Sequence, residues 1–145
     1  MAVNVINVVN LSAKIASLCI QYSRDVKNAK SDIESLQREV VSLSHTFQEV
    51  ERLLHGPDSV RLSASQELRD AVENCLSQLT AIKTRLEPNK TSKAMSLVGV
   101  RALKWPFQSK EVEKVLKNLE RCTQTVSLAL GVDQLWVMNQ HLLSI

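Results

Sequence analysis

Glycine, proline and aromatic side chains are scarce in this sequence, which has three glycines, three prolines and 3% aromatic residues in 145 positions. So few glycines exclude a glycine-rich phosphate loop, and no Asn-Gly or Asp-Gly pair signals a β-hairpin. The shortage of aromatic rings argues against the stacking platforms with which proteins bind single-stranded nucleic acids. The long stretches without helix breakers predict an all-α protein. The shortage of aromatic rings predicts that this protein does not bind nucleic acid.

Side chains that perform catalysis or bind metals are also few and far apart. His45, His55 and His141 fall in three different segments, and no cysteine pair has the spacing of a metal site. The three cysteines stand far apart among apolar neighbours at helical spacing: Cys19, Cys75 and Cys122. We expect buried free thiols in a reducing compartment, and no secretory signal. The sequence therefore predicts a cytoplasmic protein that is not an enzyme and uses no cofactor or metal.

Charge is almost absent from residues 1–23, where Lys14 is the single charged side chain and fifteen residues are apolar. On a helix, five polar residues of this segment fall within an arc of roughly 80°. They are Asn7, Asn10, Lys14, Ser17 and Gln21. Because most of the remaining circumference is apolar, such a helix must bury itself in a protein core, against a partner or in a lipid bilayer.

Four long helices are predicted from hydrophobic periodicity and from helix start and stop signals. The first spans about residues 3–27. Ser31 and Glu34 are predicted to form a capping box that starts the second, and Gly56-Pro57-Asp58 is predicted to end it. The apolar positions of the second helix alternate steps of three and four: Ile33, Leu36, Val40, Leu43, Phe47, Val50 and Leu54. This unbroken pattern is typical of a long helix packed at a shallow angle against its neighbours.

The third long helix is predicted to start near Ser63 or Ser65 and to end before Pro88. Its predicted core face is Leu68, Val72, Cys75, Leu76, Leu79, Ile82 and Leu86. A short helix predicted over 94–104 leads to Trp105-Pro106-Phe107. We interpret this tripeptide as a structural joint, in which proline fixes a turn and the two aromatic rings close the end of a bundle. The alternative interpretation is an exposed knob that docks a partner.

The fourth long helix is predicted to start at a Ser109 cap and to end at Gly131. Its predicted core face is Val112, Val115, Leu116, Leu119, Cys122, Val126 and Ala129. Residues 132–145 are expected to form a short helix or a linker after a bundle domain of residues 1–131. Because short connections join the long helices, we predict an up-down bundle of four long helices with one or two short ones.

The net charge of +3 conceals an uneven distribution along the chain. Residues 1–30 hold four basic and one acidic side chain, residues 31–88 hold six and ten, and residues 89–145 hold eight and four. On the fourth helix, four basic residues share an arc of roughly 60°. They are Lys110, Lys114, Lys117 and Arg121. This stripe indicates either an ordinary solvated face or a face for an anionic membrane surface.

Several motifs of the chain resemble one known family. They are the RALKWPF sequence of residues 101–107, the Lys110-Glu111-Val112 and Leu119-Glu120-Arg121 triplets, the NLSAKIASLC sequence of residues 10–19, residues 31–54, and Leu68-Arg69-Asp70. Together they resemble the HeLo-like domain that stands at the front of fungal STAND (NLR-like) NTPases. The similarity extends over most of residues 1–134.

The resemblance implies a helical bundle related to HeLo cell-death domains and to the four-helix executioner domain of the animal necroptosis pseudokinase. It also implies that a sensor or receptor, upstream or in the same chain, drives self-association of a quiescent domain. The N-terminal helix would then engage the plasma membrane. Because no nucleotide-binding module follows the matching region, we expect a short form or an excised domain.

Two main hypotheses of function result. The first is a membrane-targeting cell-death or allorecognition effector, which is cytoplasmic at rest and relocates to the plasma membrane on activation. Its membrane- or oligomer-engaging residues would be Val5, Val8, Val9, Leu11, Ile15, Leu18 and Tyr22. Its residues facing anionic lipid would be Lys14, Arg24, Lys27, Lys110, Lys114, Lys117 and Arg121. The second hypothesis is an adaptor that nucleates a larger receptor without touching a membrane, and a purely structural cap on a downstream domain is a third.

Overall fold

The computed structural model describes residues 1–87 and 104–143, with side chains as far as residue 131. The described residues form five α-helices and no β-strand, which confirms the all-α prediction. The helices are α1 (Ala2–Asp25), α2 (Lys30–Leu54), α3 (Ser59–Ala64), α4 (Gln66–Leu86) and α5 (Ser109–Leu143). The short helix predicted over 94–104 lies outside the described residues, apart from Lys104.

The core lies between the four long helices. Helices α1 and α5 each pack against both α2 and α4, and the short α3 contacts α2, α4 and α5. All seven apolar positions predicted for α2 are buried, from Ile33 to Leu54. The prediction of this face is confirmed because a strict alternation of three and four keeps every apolar side chain on one side of a helix.

The buried faces of α4 and α5 differ slightly from those predicted. On α4, Ala71 is buried, whereas Leu76 is half-buried at the groove beside α1. On α5, Leu130 joins the core, whereas Val115 and Leu116 are half-buried. These residues stand at the margins of the apolar stripes, where the position of the neighbouring helix decides the burial of a side chain.

The predicted capping box of α2 is wrong. The helix begins after Ala29, which provides no side-chain cap, so Ser31 and Glu34 do not cap it. Val26, the residue that ends α1, is buried and fixes the chain close to the core. Because only a short connection follows Val26, α2 starts before the chain reaches Ser31.

The predicted Ser109 cap of α5 is also wrong, because the Ser109 hydroxyl donates to the Asp32 carboxylate over 2.9 Å. Gln108 occupies the cap position instead. Its carbonyl accepts a hydrogen bond from the Val112 N–H, and its own N–H donates to the Glu111 carboxylate over 3.2 Å. The Ser109–Asp32 bond therefore connects the first turns of α5 and α2.

Between α2 and α4, the end of α2 and the start of α4 agree with the prediction, whereas the short helix between them was not predicted. α2 ends at Leu54, just before the Gly56-Pro57-Asp58 turn, and the Ser65 hydroxyl accepts from the Leu68 N–H over 3.2 Å at the start of α4. Both predictions are confirmed. The six-residue α3, held to the core by buried Leu62, was missed because it is too short to show helical periodicity.

The predicted helix end at Gly131 is wrong as well. α5 continues through this residue to Leu143, so residues 132–143 prolong α5 and do not form a separate short helix. The backbone of Gly131 does not adopt the left-handed conformation that a glycine helix end uses. A glycine inside a helix costs only about 1 kcal/mol relative to alanine, which a long helix tolerates.

Candidate functional site: helix α1 and the aromatic joint

Helix α1 buries one face in the core. Of the seven residues predicted to engage a membrane or an oligomer, five are buried: Val5, Val8, Ile15, Leu18 and Tyr22. The other two, Val9 and Leu11, are half-buried and pack against the edge of the core. The apolar face of α1 is therefore occupied by the protein itself in this structure.

The outer face of α1 combines polar residues with exposed aliphatic ones. The five polar residues of the predicted arc are all exposed, from Asn7 to Gln21. Beside them, Val3 is 70% exposed, Ile6 40% and Ile20 43%. These three aliphatic residues were not predicted from the sequence, although the scarcity of charge in residues 1–23 was a signal for them. In the described part of the chain, α1 has more large exposed apolar side chains than any other helix.

Ser12 lies in the middle of the buried face of α1, with 1% of its surface exposed. Its hydroxyl has no hydrogen-bond partner among the described residues. A buried polar group without a partner costs about 1–3 kcal/mol. Ser12 therefore weakens the attachment of α1 at the centre of its apolar face.

The C-terminal end of α1 is held by a cluster of three rings, Tyr22, Trp105 and Phe107, which we call the aromatic joint. The Tyr22 hydroxyl donates to the Leu86 carbonyl at the end of α4 over 2.7 Å. Its ring meets Trp105 edge-on with ring centres 5.3 Å apart, and Trp105 lies 5.4 Å from Phe107. Burial raises the pKa of Tyr22, with Cys19 adding to the effect, so the phenol stays protonated and remains a donor.

The joint therefore ties α1 to α4 and to the segment before α5. Phe107 is buried and Trp105 is half-buried, so neither ring projects from the protein as an exposed knob. Such ring pairs contribute about 0.5–1.5 kcal/mol beyond the area that they bury.

Arg85 of α4 holds the joint from its outer side. Its guanidinium lies 4.2 Å from the centre of the Phe107 ring, donates to the Pro106 carbonyl over 2.6 Å and pairs with the Glu111 carboxylate. The hydrogen bond from Arg85 lowers the pKa of Glu111, and the Gln108 N–H adds to this effect. Arg85 was not predicted from the sequence, because its partners are distant along the chain and leave no local pattern.

The basic residues predicted to face anionic lipid are all exposed: Lys14, Arg24, Lys27, Lys110, Lys114, Lys117 and Arg121. The structure distributes them over different helices. Lys14 and Arg24 belong to α1 and four others to α5, and in the described residues these two helices pack mainly against α2 and α4. Lys27 lies between α1 and α2, where it lines a groove of about 540 Å³ together with Lys104, Trp105, Phe107 and the carboxylates of Asp25 and Asp32.

Helix α1 is long and apolar enough to cross a membrane, judged by length and composition alone. The core helix of a soluble protein passes the same test, so this property permits membrane association without showing it. Metal binding finds no support in the described side chains, since no group of three or more His, Cys, Asp or Glu residues is placed to hold an ion there. His45 and His55 are both exposed.

Comparison of the chain with protein-family models, with curated proteins and with solved structures gave no match. Its function is therefore inferred from the residues and contacts described above.

Proposed function

We propose that this chain is a HeLo-like domain with up-down bundle topology that acts as a membrane-targeting cell-death or allorecognition effector. At rest, α1 completes the bundle in the cytoplasm. A sensor or receptor, upstream or in the same chain, then drives self-association. α1 leaves the core and enters the plasma membrane or a neighbouring subunit. No catalysis or cofactor takes part.

The apolar character of both sides of α1 is the observation that carries this proposal. One side fills the core, with Val5 and Val8 fully buried, while Val3 and Ile20 stand in solvent on the other side. A helix that only completes a water-soluble core needs a single apolar face. Exposed apolar side chains beside the polar arc, in addition to the buried face, favour surroundings that enclose more of the helix, such as lipid or other subunits.

The free energies of burial are compatible with such an exchange of surroundings. Each buried Val, Leu or Ile side chain contributes about 1.5–3 kcal/mol, and lipid replaces that contribution when the helix leaves the core. Val3, Ile6 and Ile20 gain burial that they lack at rest. The polar arc around Asn7 and Asn10 would then face neighbouring subunits, where amide side chains pair across helices.

Two separate basic surfaces suggest an order of events. The α5 stripe from Lys110 to Arg121 is exposed while α1 is still packed, so it can contact anionic lipid before α1 leaves the core. Each basic residue near such a surface contributes about 1 kcal/mol. Lys14 and Arg24 are exposed as well, but they move with α1 and reach the membrane together with it.

Leakage of vesicles made of phosphatidylcholine and phosphatidylserine tests the proposal with variants that leave the core intact. Val3→Asp and Ile20→Asp are expected to reduce the leakage rate at least tenfold, because a carboxylate on α1 opposes its entry into lipid. Leu128→Asp on α5 and Val41→Asp on α2 are the matched controls, since these side chains are 69% and 38% exposed against 70% and 43% for the α1 residues. Because the sensor is absent from this assay, the chain is added at increasing concentration to force self-association. The proposal fails if no concentration of the wild-type chain causes leakage, or if all four variants leak alike.

The adaptor hypothesis has an observation in its favour, because Val5, Val8 and Ile15 on α1 are as completely buried as any side chains of the core. A permanently packed α1 would leave the bundle as a protein–protein module of a larger receptor. Co-sedimentation with anionic vesicles at low and moderate salt separates the two functions. The adaptor is expected to stay in the supernatant at both salt concentrations, whereas the effector sediments at low salt.

A further inference from the structure

Helix α5 is much longer than the two long helices that it packs against. It has 35 residues, whereas α2 has 25 and α4 has 21. Arg85 near the end of α4 pairs with Glu111 near the start of α5. Further along, the Asn74 amide donates to Cys122 Sγ over 3.5 Å, so the two helices run in opposite directions and α4 begins level with the last core residues of α5. Residues 132–143, which we call the α5 extension, therefore continue for about 18 Å past the start of α4.

The apolar side of α5 changes between the bundle and the extension. Up to Leu130, the buried side chains of α5 lie within an arc of roughly 100°, which includes Leu119 and Val126. In the extension, seven of twelve residues are apolar, and six of these share an arc of roughly 160° centred nearly opposite to the buried side. The six are Val132, Leu135, Trp136, Met138, Leu142 and Leu143. Because α5 is one continuous helix, this apolar arc lies on the side away from its own bundle, and another surface must cover it.

The extension needs such cover to remain helical. A helix of about twelve residues is marginal by itself in water, and most helical stability in proteins comes from the packing of an amphipathic face. Charge adds little to its solubility, since Asp133 and His141 are the only titratable residues among the twelve. The partner of this arc is therefore apolar and not a strongly charged surface.

Asn139 lies near the centre of the apolar arc and indicates which partner fits. An amide carries both a donor and an acceptor, so two copies of one asparagine can exchange hydrogen bonds across a two-fold axis. A single asparagine in an apolar helix seam is also what fixes the register and the number of helices in coiled coils. Lipid tails would leave the same amide without a partner, which costs free energy. These properties favour a second copy of the chain over a bilayer.

We propose that the α5 extension is a self-association surface, on which two copies of this chain pair through their apolar arcs with Asn139 at the two-fold axis. The α5 stripe from Lys110 to Arg121 lies on the same side of the helix and is exposed. Its like charges repel between copies, so the contact is limited to the extension. The pairing supplies a surface for the self-association in the proposed function, yet it does not rest on a membrane role, because α1 stays packed.

Analytical ultracentrifugation of the full chain without lipid tests the proposal. We expect a monomer–dimer equilibrium, in which the average mass rises with concentration toward twice that of one chain. Leu135→Glu should raise the dissociation constant about tenfold or more, because it places two carboxylates between the paired apolar arcs. Gln140→Glu is the matched control, since it adds the same charge on the opposite side of the helix and should associate like the wild type.

Asn139→Leu separates a specific pair from non-specific apolar contact. We expect tighter association and species larger than dimers, because the polar residue that limits the number of helices is lost. Association that is unchanged in strength and in number of chains would contradict the placement of Asn139 at the axis.

Cross-linking locates the contact without adding a charge. Oxidised glutathione is expected to link two chains of the Asn139→Cys variant, because cysteines form a disulfide only when their Cα atoms lie within about 7 Å. Gln140→Cys is the control and should link far more slowly. The three native cysteines are buried free thiols, as expected from the sequence, so the wild-type chain serves as the blank.

Three results would overturn the proposal, with folding of each variant verified by far-ultraviolet circular dichroism. The first is a wild-type chain that stays monomeric at every concentration, and the second is an equal dissociation constant for Leu135→Glu and Gln140→Glu. The third is a monomeric chain that binds phosphatidylserine vesicles through Leu135, since lipid would then cover the arc. If dimers form but vesicles do not leak, the proposed function fails and the pairing stands.

Discussion

Ser12 is poorly suited to its surroundings, because its hydroxyl has no partner among the described residues and sits among the apolar side chains that attach α1 to the core. We predict that Ser12→Ala raises the free energy of unfolding by about 1 kcal/mol, since it removes a buried unsatisfied group and introduces a better helix former. Urea unfolding followed by circular dichroism measures this change.

Ser17→Ala on the exposed side of α1 is the matched control, because it changes helix propensity without changing the core. An equal gain in both variants would show that the buried hydroxyl of Ser12 carries no penalty. If α1 leaves the core during vesicle leakage, Ser12→Ala should also slow leakage, whereas Ser17→Ala should not.

At the scale of the helices, Gly131 is a weak point within α5. No described atom lies within 4 Å of the position that a Cβ would take, and the backbone does not need the conformational freedom of glycine. We predict that Gly131→Ala stabilises the protein by roughly 0.5–1 kcal/mol, because alanine loses less conformational entropy in a helix. Thermal unfolding by calorimetry detects this as a higher midpoint.

Gly56→Ala serves as the comparison, since Gly56 follows the end of α2 and its added Cβ would meet the Leu53 carbonyl at 3.4 Å. Gly56→Ala should not raise the midpoint of thermal unfolding. Destabilisation by Gly131→Ala would mean that α5 has a break or a close contact at this residue.

The long helices could be predicted because helical periodicity is a property of neighbouring residues. The seven buried positions of α2 follow from their spacing alone. The start of α4 was predicted near Ser63 or Ser65, and the structure identifies Ser65 as the cap, which needs only a nearby N–H. The predictions fail where contacts between distant parts of the chain determine where a helix starts or which residue caps it. Val26 enters the core and moves the start of α2, and Asp32 takes the Ser109 hydroxyl that was predicted to cap α5.

The candidate site also has local features that the sequence predicts and long-range contacts that it does not. The apolar face of α1 could be predicted from residues 1–23, and five of its seven named residues are buried. The partners that hold α1 could not be predicted, because the contacts of Tyr22 with Leu86 and Trp105 join residues more than sixty positions apart. Arg85 was missed for the same reason.

For the whole molecule, the separation of the basic residues restricts how it meets a membrane. A rigid body lies on a flat surface with one side at a time, and the α1 and α5 sets belong to helices that, in the described residues, pack mainly against α2 and α4. We predict that Lys117→Gln on α5 weakens co-sedimentation with phosphatidylserine vesicles about fivefold at low salt, which corresponds to about 1 kcal/mol for one basic residue.

Arg38→Gln on α2 removes the same charge from an exposed residue outside both sets and should leave sedimentation close to that of the wild type. If the two variants weaken binding equally, net charge governs the attraction and α5 is not a specific contact surface. The difference between the variants should disappear at high salt, because screening removes electrostatic attraction between exposed charges.

The aromatic joint makes the two extremities of α1 unequal. Tyr22 is pinned by its phenol and its ring, whereas Val3, near the other extremity, lies largely in water. A helix that is held at one end detaches first at its other end and rotates about the end that is held. The amino-terminal turns of α1 would therefore move away from the bundle first, and the helix would rotate about Tyr22. Between these two ends, Ser12 is the point where detachment costs the least free energy.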